Sequence, residues 1–210
     1  MMNVMETDPW ENEYAKKGRV WGGSVHYLPV ISSNGRVLEL GCGDGKTWRA
    51  LLERGYEVVG IDPATSALRL CISAVPRESK AHLARADASN LPFADNAFST
   101  VIAFHVIGHL PFEARIRAAH EVSRVIRKGG KLIFSGFSCE DFRFKEGAET
   151  EPGTMLRKNG IATHYFSENE VLRLFCRLKP LSCTTRRWTM TVRDQSLPRA
   201  EISAAFTKKS

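Results

Sequence analysis

No stretch of these 210 residues is long and apolar enough to cross a bilayer; runs such as Val101–Phe104 are the size of one strand. Cysteine is scarce. The five residues Cys42, Cys71, Cys139, Cys176 and Cys183 are odd in number, scattered and without a CxxC pair. That pattern predicts neither a disulfide framework nor a zinc site, so no metal is expected and a reducing cytoplasm is the natural location. There is no internal repeat, low-complexity run or Pro/Ser-rich linker, so the chain reads as one domain over residues 1–210. The beginning, MMNVMETDPWENEY, is acidic and lacks an apolar stretch, which predicts no signal peptide. A GxxxxGK[ST] loop is also missing, which argues against a nucleotide triphosphatase.

What is present has ordinary globular proportions, with 43% apolar and 25% charged residues, unlike a disordered chain or a coiled coil. The net charge of +7 is uneven. Residues 1–150 hold 19 basic and 18 acidic side chains, whereas residues 151–210 hold 11 and 5. That basic end either attracts an anionic partner or is a solvated face.

Short β-branched runs alternate with helical patterns. Strands are predicted at Arg36–Leu40, Glu57–Ile61, His82–Ala86, Thr100–Phe104 and Lys131–Ser135, with helices at Gly45–Arg54, Ala64–Ser73 and Pro111–Lys128. Gly129-Gly130 suits the C-cap of the third helix. Strands separated by helices imply βαβ units and a mostly parallel sheet. A polar stretch, Cys139–Thr163, interrupts the rhythm and is too long for an ordinary connection. Ser167-x-x-Glu170 then forms a capping box, and the runs Leu181–Val192 and Ala200–Thr207, with no helix between them, predict an antiparallel pair.

The most informative segment is Val37–Gly45, VLELGCGDG. An apolar strand runs into glycines at alternate positions and then into a helix, a pattern that lets the backbone approach a ligand closely. Asp62, ending the second strand, is placed to accept from both hydroxyls of a ribose. Asp87, ending the third, is placed to accept from the exocyclic amine of an adenine. A nucleoside ligand follows. Lys46 stands where the dinucleotide fingerprint needs glycine, which excludes NAD, and Glu39 would repel a pyrophosphate but suits a cationic ligand. S-adenosylmethionine has a ribose, an adenine, an ammonium and a sulfonium, and no phosphate.

Together ELGCGDG, GIDPA, ADASNLPFADNAF, VIAFHVIGHL and VIRKGGKLIF resemble the class I S-adenosylmethionine-dependent methyltransferases, in order over roughly residues 8–207. The resemblance implies a Rossmann-like α/β fold. Its seven-stranded, mostly parallel sheet has the order 3-2-1-4-5-7-6, with strand seven antiparallel and helices on both faces. It implies that Gly41 and Gly43 contact the methionine part of S-adenosylmethionine, Asp62 the ribose, and Asp87 with the Ala88 amide the adenine. Glu39, Cys42, Pro63 and Phe104 complete the expected cofactor set. Residues 1–30 resemble the N-terminal cover of small-molecule members, which adds Trp21. Ser99 stands where aspartate is common, a position that supports the sheet rather than the ligand.

For the acceptor, the sequence offers less. His105 and His164 are the candidate bases, whereas His109 sits where a structural role is expected. Phe104-His105-Val106-Ile107 replaces the Asn-Pro-Pro-Tyr type that grips an exocyclic amine, and Cys139 lacks the context of a cytosine-C5 nucleophile. Phe137, Phe142, Phe144, Tyr165 and Phe166 could line an acceptor pocket or close the core over the 139–165 insertion. A small-molecule acceptor is the expected partner, with no membrane. RNA, particularly tRNA, is the alternative because of Arg157, Lys158, Arg186, Arg187 and Arg193. A third reading is a non-catalytic cofactor-binding protein, against which the intact Glu39, Gly41, Gly43, Asp62 and Asp87 count.

Overall fold

Strand β1 (Val37–Leu40) is buried at every residue and lies between two parallel neighbours, β2 (Val58–Asp62) and β4 (Phe98–Phe104). A strand covered on both faces must be apolar throughout, which is what VLEL, VVGID and FSTVIAF supply with few exceptions. The computed structural model describes residues 9–20, 28, 31, 35–73 and 81–209. Within them the main sheet has seven strands in the order β3-β2-β1-β4-β5-β10-β9, with β3 at Ala81–Arg85, β5 at Ile126–Phe137, β9 at Lys179–Val192 and β10 at Gln195–Thr207. β10 runs antiparallel to both β5 and β9. This is the expected 3-2-1-4-5-7-6 order with an antiparallel seventh strand.

Side-chain alternation divides the core between the faces of the sheet. On one face Leu38, Leu40, Val101, Ala103 and Leu132 meet Ala118 and Val122 of α4 (Phe112–Val125) and Val171 of α5 (Glu168–Leu174). On the other, Val37, Val58 and Ile102 meet Trp48 and Leu51 of α2 (Lys46–Glu53) and Leu68 and Cys71 of α3 (Thr65–Ile72). Ser167 caps α5 as expected, accepting from the Glu170 amide at 3.2 Å.

One expectation on the second half of the chain needs correction, and one segment has structure the sequence did not show. Helix α4 ends at Val125, and the chain is already extended at Ile126, so Gly129-Gly130 does not cap it. Those glycines lie inside β5, beside a register shift opposite Phe98–Thr100. A Cβ on Gly130 would fall 2.8 Å from the carbonyl oxygens of Ser99 and Arg127, so close backbone approach explains the residue better than capping. The insertion over 139–163 is not an irregular loop. Its second part is a three-stranded antiparallel sheet of β6 (Ala148–Glu151), β7 (Thr154–Leu156) and β8 (Ala162–His164), strands too short to show an alternating pattern.

Candidate functional site

At the carboxyl ends of β1, β2 and β4 the chain leaves a crevice of about 880 Å³. Its floor is the turn after β1. Gly41 and Gly43 have φ of +62° and +53°, a region that side-chain-bearing residues rarely enter. A Cβ on Gly41 would lie 2.6 Å from Val106 Cγ2, and one on Gly43 would collide with the Tyr14 hydroxyl. Neither glycine is replaceable without moving a wall of the crevice. The Cys42 amide donates to the Ile61 carbonyl at 2.9 Å, which fixes the turn against β2.

Three carboxylates face this cradle. Asp62 is buried and accepts from the Gly43 amide and the Ala64 amide, each at 2.9 Å. It therefore braces the glycine turn against the start of α3 as well as lining the crevice. Asp87 is exposed and forms a local turn with Ser89, accepting from its amide and its hydroxyl at 2.8 Å. Glu39 is buried, and its Oε2 has no hydrogen-bond partner. Burial, with Cys71, Asp62 and Asp44 nearby, pushes its carboxyl well above the usual glutamate range. Pro63, Ala88 and Phe104 line the crevice with Cys42. Trp21 lies outside the described residues. The described part of the N-terminal cover is α1 (Pro9–Lys17) with its flank, and it places Trp10 and Tyr14 in the crevice wall. Glu11 holds α1 down by accepting from the Ser66 amide at 3.1 Å at the start of α3.

The crevice continues beyond the cradle toward β5, β9 and β10. His105 follows β4 with φ of +55° and donates its backbone amide to Ser135 O at 2.8 Å. Its ring stacks on Phe137 at 4.4 Å, its Nε2 lies 3.4 Å from Glu201 Oε2 and 3.4 Å from Ser135 Oγ, and its Nδ1 is buried without a partner. The hydrogen bond with His105 holds the Glu201 carboxyl below its usual range against the effect of burial, aided by the charges of Arg186 and Arg199. Arg143, Arg186, Trp188 and Arg199 complete this end. Of the five aromatic residues flagged in the sequence, only Phe137 lines the crevice; Phe166 and Tyr165 are buried in the packing behind it.

The three histidines separate by geometry. His164 is buried away from the crevice, with Nδ1 2.8 Å from Thr154 Oγ1 and Nε2 2.7 Å from Glu170 Oε1. Both nitrogens are committed to tying the small sheet to α5, which corrects its candidacy as a base. His109 Nδ1 lies 2.8 Å from Ala162 O and its ring meets Trp10 edge-on at 4.8 Å. Burial, only partly offset by that carbonyl, brings its pKa down to about 4, so it is a neutral strut joining α1 to β8. Only His105 is placed in the crevice with a carboxylate beside it.

Sequence reasoning missed Arg143, Trp188, Arg199 and Glu201 as crevice residues and treated Arg186 as part of a basic edge. The hairpin register brings them together. Glu201 pairs with Arg186 and Arg199 with Trp188, so these four fall on one face of β9 and β10.

Comparison with known proteins agrees with this architecture. Residues 38–134 match the Methyltransferase domain family. The fold, the glycine cradle and the flanking carboxylates are similar to those of the class I S-adenosylmethionine-dependent methyltransferases, enzymes whose cofactor is S-adenosylmethionine. A solved S-adenosylmethionine-dependent methyltransferase from Methanosarcina mazei superposes with a TM-score of 0.71 at 25% identity, covering 86% of this chain and 95% of that one. By sequence, the chain is 28% identical over 166 residues to the tRNA N(3)-cytidine methyltransferase METTL2 of Gallus gallus, covering 73% of this chain and 45% of the relative. It is 38% identical over 100 residues to an uncharacterised methyltransferase of Mycobacterium tuberculosis, covering 46% of this chain and 37% of the relative. The chain thus spans less than half the length of these two sequence relatives.

Among the described residues no group of His, Cys, Asp and Glu is arranged to hold a metal ion, and no helix is long and apolar enough to cross a membrane.

The residues present suit the cofactor. Glycines leave room where a Cβ would not, and Glu39 offers an unsatisfied buried oxygen to an ammonium. A pH dependence follows. The free protein holds Glu39 protonated above the usual glutamate range, and a bound ammonium favours the carboxylate, so binding releases a proton and strengthens as pH rises toward the raised pKa. Calorimetry of S-adenosylhomocysteine in two buffers of different ionisation enthalpy should give different heats for the wild type and equal heats for Glu39→Gln. Equal heats for both proteins would remove Glu39 from the ammonium site.

Proposed function

We propose that this chain transfers the methyl group of S-adenosylmethionine to a small-molecule acceptor held between the glycine cradle and the hairpin of β9 and β10. The observation that carries this reading is the continuity of the crevice: Val106 touches Gly41, so its neighbour His105 stands at the methionine end of the cradle and opens onto the Phe137 and Trp188 side. Glu39, Gly41 and Gly43 hold the methionine part in this reading. Asp62 holds the ribose and Asp87 with Ala88 the adenine, with Cys42, Pro63 and Phe104 around them. S-adenosylmethionine supplies an electrophilic methyl carbon when bound. An acceptor oxygen or nitrogen would take that methyl group, the electron pair of the broken bond leaving with sulfur, and the His105 imidazole would take the acceptor's proton. Glu201, 3.4 Å away, stabilises the imidazolium that results. The segments 9–20 and 139–165 exclude water from the reacting atoms.

A tRNA acceptor is the second reading, favoured by the METTL2 relative and by Arg186 and Arg199 at the crevice. The experiment separates them. Methyl-labelled S-adenosylmethionine is incubated with the protein and either a small-metabolite extract or total RNA from the same cells. Label is expected in the metabolite fraction. Label confined to RNA, with binding that weakens steeply as salt rises, would transfer the reading to tRNA.

A further inference from the structure

The acceptor end of the crevice carries a charge arrangement that the transfer reaction does not by itself require. Arg143 and Arg199 converge on one carboxylate, Asp141, whose side chain has no exposure to solvent. Arg143 donates from Nε at 2.7 Å and from Nη2 at 3.2 Å, and Arg199 donates from Nε at 2.8 Å. Burial would raise the Asp141 carboxyl, but these guanidinium hydrogen bonds bring its pKa down to about 2, so it stays charged. One carboxylate thus orients two guanidinium groups and neutralises only one.

Both groups are also held flat. Arg143 lies 4.0 Å from the Phe137 ring centroid, on the ring that His105 stacks against, and Arg199 lies 5.8 Å from it. Trp188 has Arg199 at 5.3 Å and Arg186 at 5.2 Å. The carboxylates ion-paired with this group are Asp141 and Glu201, the latter 3.7 Å from Arg186. Three guanidinium charges against two carboxylates leave one positive charge at the rim of an aromatic-walled pocket. A structural triad would be closed on itself. Here Arg143 and Arg199 both border the crevice; Asp141 takes up Arg143 Nε and Nη2 and Arg199 Nε, Met190 Sδ lies 3.7 Å from Arg199 Nη1, and Arg143 Nη1 and Arg199 Nη2 are left over.

We infer that the acceptor is a planar small molecule bearing one carboxylate, bound by Arg143 Nη1 and Arg199 Nη2, with its ring on the Trp188 side of the crevice. This inference rests on the methyltransferase reading above and specifies its substrate class. One nitrogen from each guanidinium can donate to one oxygen of a carboxylate, and the single surplus charge matches a monoanion.

The test uses the full chain saturated with S-adenosylhomocysteine, so that no turnover occurs. Binding of hydroxybenzoates and aminobenzoates is compared by ligand-observed NMR with binding of the matching benzamides, which keep the ring and lose the charge. Wild type should prefer the carboxylates by about tenfold or more, the scale of a charge-assisted pair. Arg199→Lys keeps the charge without the planar guanidinium, and Arg186→Gln removes an exposed charge with little risk to folding. Arg199→Lys should lose most of the preference and Arg186→Gln part of it, both with unchanged affinity for S-adenosylhomocysteine. Equal binding of acids and amides, binding of neither, or an undiminished preference in Arg199→Lys would overturn the inference. Loss of S-adenosylhomocysteine binding by the wild type would instead defeat the cofactor reading beneath it.

Discussion

His105→Asn should lower kcat for the methylated acceptor by about 10²–10⁴-fold, the usual contribution of a positioned general base, while leaving S-adenosylhomocysteine affinity within a factor of two or so of wild type. Asparagine is the informative replacement. His105 has φ of +55°, and asparagine tolerates this region far better than most residues, so the turn after β4 keeps its shape. The backbone bond to Ser135 O survives, and only the imidazole, its stacking on Phe137 and its contact with Glu201 are lost. Glu201→Gln should be milder. It retains a hydrogen-bond acceptor but lacks the charge that stabilises an imidazolium, so kcat should fall less than in His105→Asn, with little change in KM. If His105→Asn turns over at the wild-type rate at every pH, proton transfer to this ring is not part of the reaction, as would hold for an acceptor that is already deprotonated.

The second large effect lies at the cofactor. Asp62→Ala should weaken S-adenosylhomocysteine binding by about 1.5–3 kcal/mol, roughly a ten- to hundredfold rise in Kd. The sequence alone assigned Asp62 to a ribose. The structure adds a second role, because the same carboxylate accepts from the Gly43 and Ala64 amides. Removing it frees a buried amide in the cradle and relaxes the turn whose shape Gly41 and Gly43 define. Asp62→Asn distinguishes the two roles: its single carbonyl oxygen can keep one brace but cannot accept at both amides and a hydroxyl. Its affinity should fall between wild type and alanine. Calorimetry reads the affinity and thermal unfolding reads the fold. An Asp62→Ala protein that binds like wild type would exclude the residue from the cofactor site.

How far the site was legible depended on how local its signal is. The cradle is written in consecutive residues, since Glu39, Gly41 and Gly43 sit on one strand and its turn. Asp62 and Asp87 follow strands recognisable from their own apolar runs. The sheet order came from the family resemblance, and the antiparallel last pair from two strand-like runs with no helix between them. The acceptor half is different. Arg199 and Glu201 enter the crevice because β10 lies antiparallel to β5 in a register that pairs Glu201 with Phe137, and Arg143 because Asp141 holds it. A one-residue slip would turn those side chains to the opposite face, and no local pattern fixes that register. The three short strands of the insertion escaped for a related reason: each makes sense only against its neighbours. Gly129-Gly130 misled because a glycine pair after a helix resembles a cap, whereas close backbone approach required it here.

The central claim is that one crevice holds the cofactor at the glycine cradle with its sulfur toward His105. A crystal structure of the protein with S-adenosylhomocysteine tests it most directly. The account predicts adenine density beside Asp87 and Ala88, ribose hydroxyls on Asp62, the amino group against Glu39, and the sulfur facing His105. Density for the nucleoside at the Trp188 and Arg199 end, or a cradle left empty at saturating ligand, would contradict it.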